Sequence, residues 1–155
     1  MYPMIEGVEF KDLKHFPDER GFFCELIRDT DGIAVEKIGQ TSHSLVYPGI
    51  VKAWHAHVEQ TQWNYVVNGL LYVALHDMRK NSATFKQTMT FLVGDNHNKI
   101  IYKFPPGVAH GYKCMHGPMN IIYFTSDVYD LKDEIRIDHN DQEIGFDWVN
   151  TFKIK

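Results

Sequence analysis

The chain has 155 residues, 44% of them hydrophobic and 23% charged, which fits a single soluble domain spanning 1–155. Its net charge of −4 and pI near 6.1 argue against a surface for polyanions, and no Lys/Arg run with interleaved aromatics marks a nucleic-acid partner. No apolar run approaches the roughly 18–20 residues of a membrane span, the start MYPMIEGVEF lacks the basic-then-apolar order of a signal peptide, and Cys24 and Cys114 lack the CxxC spacing of a zinc or redox pair. The expectation is a cytoplasmic protein with two free thiols that meets neither membrane nor nucleic acid.

In chain order, Gly7 to Leu13 reads as a strand-like opening segment, and Asp18-Glu19-Arg20 as a turn. Segments rich in Val, Ile, Tyr and Phe then recur: GIVKAW at 49–54, QWNYVVNGLLYVALHD at 62–77, ATFKQTMTFLVG at 83–94, KIIYKFPPG at 99–107 and NIIYFTSDVY at 120–129. Tyr47-Pro48-Gly49, Asn68-Gly69, Lys80-Asn81-Ser82, Gly94-Asp95-Asn96 and Pro105-Pro106-Gly107 punctuate them, Asn-Gly being the strongest short hairpin signal. No window keeps an apolar i, i+3, i+4, i+7 repeat, so helix is confined to short turns near Asp95-Asn96 and in Asp130 to Glu134. The pattern predicts an all-β fold with minor short helices, closed as a jelly roll or another double-sheet barrel whose mouth holds the ligand. Alternation in 62–66 puts Gln62, Asn64 and Val66 on one face and Trp63 and Tyr65 on the other, leaving open which face is interior.

The most informative stretch is Gly49 to Gly69, GIVKAWHAHVEQTQWNYVVNG. In a strand His55 and His57 project together while Trp54 and Ala56 face away. Pro105 to His110 supplies a turn and a third histidine that a closed barrel could bring beside them. The choice is between a metal site and a proton-transfer site. The GX5HXHX4QX6G stretch with PXGX2H resembles the two-part signature of the cupin superfamily, in which histidines and a carboxylate bind a divalent metal. Here Gln62 holds the carboxylate position, so a metal bound by His55, His57, Gln62 and His110 would be less well compensated in charge.

A second resemblance covers residues 8 to 148. Asp18-Glu19-Arg20-Gly21-Phe22-Phe23-Cys24-Glu25, the Gln40 to His55 segment, Asp77 to Phe85, Pro106 to Tyr112, Tyr123-Phe124-Thr125 and Asn140-Asp141 leading to Trp148 are similar, in one order, to the dTDP-4-dehydrorhamnose 3,5-epimerase family. The resemblance implies a cupin double-stranded β-helix, a homodimer, no cofactor or metal, a nucleotide-diphosphate sugar as partner, and proton transfer at carbons 3 and 5 of a 4-keto sugar. Such a proton leaves at a useful rate only if a base meets it and the enolate oxygen is stabilised; inversion then needs an acid on the opposite face. Histidine, with an ordinary pKa of ~6.5, suits the base and tyrosine, near ~10, the acid.

The positions matching the family's are His55 as base and Tyr123 as acid. Arg20 matches a phosphate ligand, whose forked donors suit pyrophosphate. Glu25, Gln40 and Tyr129 match positions binding phosphate or base, with Tyr129 stacking on the ring. His110 would lie near the enolate oxygen. Lys52 replaces an arginine, Ser42 an asparagine, and Gln62 falls near a lysine that stabilises the enolate. The family's histidine is oriented by an aspartate after the position of Trp148, and Thr151 to Lys155 contain no acid, so the dyad is expected to be incomplete. His57 is absent from the epimerase pattern. Its pairing with His55 resembles the 3,4-ketoisomerases of dTDP-4-keto-6-deoxyglucose, kept as an alternative beside a metal cupin and a sugar-nucleotide-binding protein without catalysis.

Overall fold

The computed structural model describes residues 4–34 and 36–150. They form ten strands: β1 (Glu9–Asp12), β2 (His15–Asp18), β3 (Gly21–Cys24), β4 (Gln40–Val46), β5 (Val51–His57), β6 (Gln62–Asp77), β7 (Thr88–Gly94), β8 (Ile100–Phe104), β9 (Val108–Thr125) and β10 (Glu134–Arg136). Two long strands organise the rest. β6 and β9 are antiparallel and pair from Gln62 opposite Thr125 to Asp77 opposite Val108. Along residues 62–66 and 121–125 they are flanked by β8 and β4, with β1 outside β8. Along their other halves they are flanked by β7 and β5, with β10 outside β5. The result is two packed sheets that share β6 and β9, the jelly roll the alternation predicts.

The expected hairpin at Asn68-Gly69 is instead a bulge inside β6, where the register against β9 shifts between Val66 and Leu71. Gly69 has φ 88°, a region that glycine enters without steric cost, and a Cβ there would meet the His116 carbonyl oxygen at 2.7 Å. The extra residue changes the alternation, so that Gln62, Asn64 and Val66 and then Leu71, Val73 and Leu75 all face inward. Without it one half of the strand would turn its apolar side chains away from the core.

Val66, Leu71, Leu75, Met89, Phe91, Tyr102, Phe104, Met119 and Ile121 fill the space between the sheets. Both outer faces of the shared strands are covered as well. Trp63, Tyr65 and Ile101 lie with Leu26, Ile27, Ile33 and Ile38, and the Trp63 indole donates to the Ile33 carbonyl at 2.8 Å. Trp54, Ala56, Ala74 and Ala109 lie under Ile137, Ile144, Phe146 and Trp148. The polar face of 62–66 is therefore the interior one, and the aromatic face is buried by a covering segment.

No helix occurs among the described residues, which corrects the expected short helices. At 94–97 the chain closes a turn from the His97 N–H to the Gly94 carbonyl, and at 130–133 one from the Asp133 N–H to the Asp130 carbonyl, which feeds β10. The expected strand at 83–94 starts only at Thr88, because Ser82 and Thr84 each donate at 2.6 Å to Asp77 Oδ2 and hold 82–87 as turns. Among the described residues no helix is long and apolar enough to cross a membrane. β2 and β3 pair with each other as a separate two-stranded arm, on which Phe16, Phe22 and Phe23 are 48%, 64% and 63% exposed.

Candidate active site

A cavity of about 320 Å³ opens between the two sheets, lined by Gln40 and Ser42 of β4, Lys52, His55 and His57 of β5, Gln60, Gln62 of β6, His110, Tyr112, Tyr123 and Thr125 of β9, Tyr129 and Glu134. His55 and His57 share a face as strand alternation requires, with Trp54 and Ala56 buried behind them. Lys52 joins them in spite of its odd spacing, because the register of β5 against β9 shifts between Lys52 and His55. His110 enters directly opposite His55 in that pairing. Tyr123 sits on the other sheet, between Ser42 of β4 and Asn64 of β6.

β10 and the turn that feeds it bring one carboxylate each to the histidine pair. His55 Nδ1 lies 3.1 Å from Glu134 Oε1, and His57 Nδ1 lies 3.1 Å from Asp133 Oδ2. A carboxylate on Nδ1 holds the proton there and leaves Nε2 with a free lone pair. The two histidines then differ. His57 Nε2 accepts from the Gln60 amide at 3.3 Å, and its side chain is 12% exposed. His55 has no second hydrogen-bond partner among the described residues and is 36% exposed, so it is the imidazole free to take a proton from a ligand. The dyad expected to be incomplete thus has its acid, supplied by Glu134 from before Trp148. Thr151–Lys155 lie outside the described residues.

Burial would raise the Glu134 carboxyl, but hydrogen bonds from Arg136 and His55 hold it below its ordinary value. Burial lowers His57 against the pull of Asp133. His110 is pushed well below its ordinary value, first by burial and then by His57 and His55. It stacks on His57 with centroids 5.6 Å apart, its ring centroid lies 4.4 Å from that of Phe104, and its buried Nδ1 has no hydrogen-bond partner among the described residues. Burial and the two neighbouring histidines both favour its uncharged form in the cavity wall.

A polar chain crosses the interior. The Gln62 amide donates to Asn64 Oδ1 at 2.8 Å, and the Asn64 amide to the Tyr102 hydroxyl at 2.9 Å. The Tyr112 and Tyr123 hydroxyls are 2.7 Å apart. At the rim Gln40 donates to the Ser42 hydroxyl at 3.0 Å and accepts the Tyr129 N–H at 2.9 Å. The Tyr129 hydroxyl donates to Glu134 Oε2 at 3.3 Å. Among the described residues no group of three or more His, Cys, Asp or Glu side chains is disposed to hold one metal ion. Gln62, the fourth expected ligand, gives an amide N–H to Asn64, a bond that does not use its Oε1.

Eight of the ten expected site residues thus line one cavity: His55, Tyr123, Gln40, Ser42, Lys52, Gln62, His110 and Tyr129. Arg20 and Glu25 do not. Arg20 is at the tip of the β2–β3 arm, 82% exposed and paired with Asp18, and Glu25 pairs with Arg28 outside the cavity. Sequence reasoning missed Glu134, Asp133, Tyr112, Gln60 and Thr125. A signal existed for Glu134 in the alternation of Glu134 and Arg136 with Ile135 and Ile137, and for Tyr112 in its place two residues after His110.

The family model for dTDP-4-dehydrorhamnose 3,5-epimerase matches residues 3–155. The chain is 41% identical over 153 residues to the spore coat polysaccharide biosynthesis protein SpsL of Bacillus subtilis, covering 97% of this chain and 100% of that one. It is 34% identical to the probable low-salt glycan biosynthesis epimerase Agl13 of Haloferax volcanii, covering 94% and 96%. Its fold superposes on the dTDP sugar isomerase of Desulfovibrio desulfuricans with a TM-score of 0.88 at 25% identity, over 98% of this chain and 96% of that one.

Proposed function

The chain belongs to the dTDP-4-dehydrorhamnose 3,5-epimerase family, and we propose that, as an epimerase of that family, it inverts carbons beside the ketone of a 4-keto-6-deoxy-hexose nucleotide. His55 Nε2 removes the proton. Glu134 keeps the imidazole in the required tautomer and faces the positive charge as it forms. The enolate oxygen takes hydrogen bonds from the neutral His110 and from the second N–H of Gln62, which together stand in for a cationic donor. Tyr123 returns a proton from the other face. The observation that carries this reading is that His55 and Tyr123 line one cavity from opposite sheets, because inversion requires a base and an acid on opposite sides of one carbon.

Lys52 meets the diphosphate, and Tyr129, 56% exposed at the rim, stacks on the base. The protein acts as a homodimer, in which burying Phe16, Phe22 and Phe23 of the arm against a second copy carries Arg20 to that copy's phosphate site; three exposed aromatics on a thin arm support this. The reaction uses side chains without a metal. It runs in the cytosol, consistent with two free cysteines.

The test is incubation with dTDP-4-keto-6-deoxyglucose in deuterium oxide. NMR should show deuterium at carbons 3 and 5 with inverted configuration, and His55→Asn should abolish it. Nucleotide binding without exchange would overturn the reading in favour of a binding protein. The His57–Asp133 pair beside His55–Glu134 favours one second reading, proton transfer between adjacent carbons as in a 3,4-ketoisomerase; a 3-keto product in the same tube would select it.

A further inference from the structure

Tyr112 and Tyr123 lie on one strand, yet they belong to different sheets. Tyr112 pairs with Lys52 of β5 and Val73 of β6, whereas Tyr123 pairs with Ser42 of β4 and Asn64 of β6. Their hydroxyls nonetheless meet at 2.7 Å across the interior. Tyr112 is 5% exposed and packs in the central core, and both rings line the cavity. A core position between Val108, Cys114 and Met119 needs no hydroxyl for packing, and burying one without a partner is costly.

We propose that Tyr112 is a positioning residue for the acid, donating a fixed hydrogen bond to the Tyr123 oxygen so that the Tyr123 proton points at the sugar and the phenolate left behind is stabilised. This rests on the reading of Tyr123 as the acid. In the return step the Tyr123 O–H bond breaks as a C–H bond forms at the enolate carbon. The O–H electron pair stays on the Tyr123 oxygen, the enolate π pair makes the new C–H bond, and the carbonyl is restored. The Tyr112 proton is not transferred. Solvent later reprotonates Tyr123 and deprotonates His55, so the balance closes without another reactant. Burial, and then the nearness of Tyr123, raises the Tyr112 hydroxyl above its ordinary value, which keeps Tyr112 the donor of the pair. A hydrogen bond to a phenolate is stronger than one to a neutral phenol, so the contact gains strength as the proton leaves.

The experiment separates proton removal from proton return. In deuterium oxide, deuterium entering with retained configuration reports His55 alone, and deuterium entering with inversion also requires Tyr123. Tyr112→Phe should lower inversion about ten- to hundredfold, the size expected for one donor to a developing oxyanion, while retention exchange stays within about twofold and KM for the sugar is unchanged. Equal loss of both, or loss of neither, would overturn the proposal. Tyr123→Phe separates the two layers: inversion persisting there removes the parent reading and this one with it, whereas inversion lost in Tyr123→Phe but intact in Tyr112→Phe removes this one alone. Fluorotyrosine at 112, a stronger donor that keeps the ring, should hold inversion at or above the native rate; a fall matching Tyr112→Phe would count against the hydrogen bond and overturn the proposal.

Discussion

Glu134→Gln is the sharpest probe of the base. The variant keeps the shape of the side chain and an oxygen that can accept from His55 Nδ1, but it removes the charge that faces the imidazolium. Two unit charges 3.1 Å apart attract by about 5 kcal/mol at an effective dielectric of about 20. His55 is 36% exposed, so solvent screens much of this. A charge-assisted hydrogen bond worth about 1.5–3 kcal/mol is the better measure, equivalent to about ten- to hundredfold in rate. The charge develops only as the proton leaves, so kcat should fall while KM changes little. Initial deuterium wash-in at carbons 3 and 5, followed by NMR at matched nucleotide saturation, measures the step directly. Asp133→Asn, which touches His57 and not His55, should slow wash-in less than about fivefold under the same rule. A Glu134→Gln enzyme that folds and exchanges at the native rate would refute the assignment of His55 and Glu134 as one unit.

Three further outcomes are expected. Asp77 is fully buried and accepts from Arg79, Ser82 and Thr84, so Asp77→Asn should leave Arg79 uncompensated and cost about 3 kcal/mol, a melting-temperature drop of about 6–12 °C for a chain of this size; a drop under 2 °C would contradict it. His110 has a folded pKa well below its ordinary 6.5, so unfolding takes up a proton. Its stability contribution is complete above about pH 6.5 and is lost as pH falls toward the folded value, at about 1.4 kcal/mol per pH unit. Urea melts from pH 7.5 to 5 should show at least that slope, since burial lowers His57 and His76 as well, and His110→Phe should lessen it by about 1.4 kcal/mol per pH unit. Finally, Arg20→Ala should weaken dTDP binding in calorimetry with wash-in at saturation preserved, and at subsaturating nucleotide sugar mixing Arg20→Ala with His55→Asn copies should raise wash-in above that of Arg20→Ala alone, through dimers holding one intact site; no rise would mean each arm serves its own chain.

Alternation made the strands legible, and with them the inward set His55, His57 and His110. The spacing of residues 49 to 69 fixed that histidines would share a wall, and the structure adds which of them is free. What escaped depends on register and not on composition. Asn68-Gly69 has the chemistry of a hairpin turn, and the same positive φ serves a bulge equally well, so only the partner strand decides between them. Lys52 reaches the cavity through another such shift, which no period-2 reading reveals. Glu134 is 79 positions from His55 on a strand of three residues, too short to announce its pairing. Arg20 and Glu25 match a family pattern, but the fold leaves both outside the cavity, on local ion pairs with Asp18 and Arg28, which no reading of motif order reveals.

The strands shared between the sheets have a consequence for motion. Because β6 and β9 belong to both layers, neither layer can tilt or open without breaking the other's ladder, and there is no hinge between the wall that carries His55 and the wall that carries Tyr123. The two layers should open as one cooperative unit, with the amides of both halves of β6 and β9 sharing a single protection level in hydrogen exchange, while the β2–β3 arm exchanges early. The gap in which the sugar must turn over is then set by chain continuity. Opening of the cavity to a ligand is left to segments outside the shared strands, among them the 127–133 segment that carries Tyr129 at the rim.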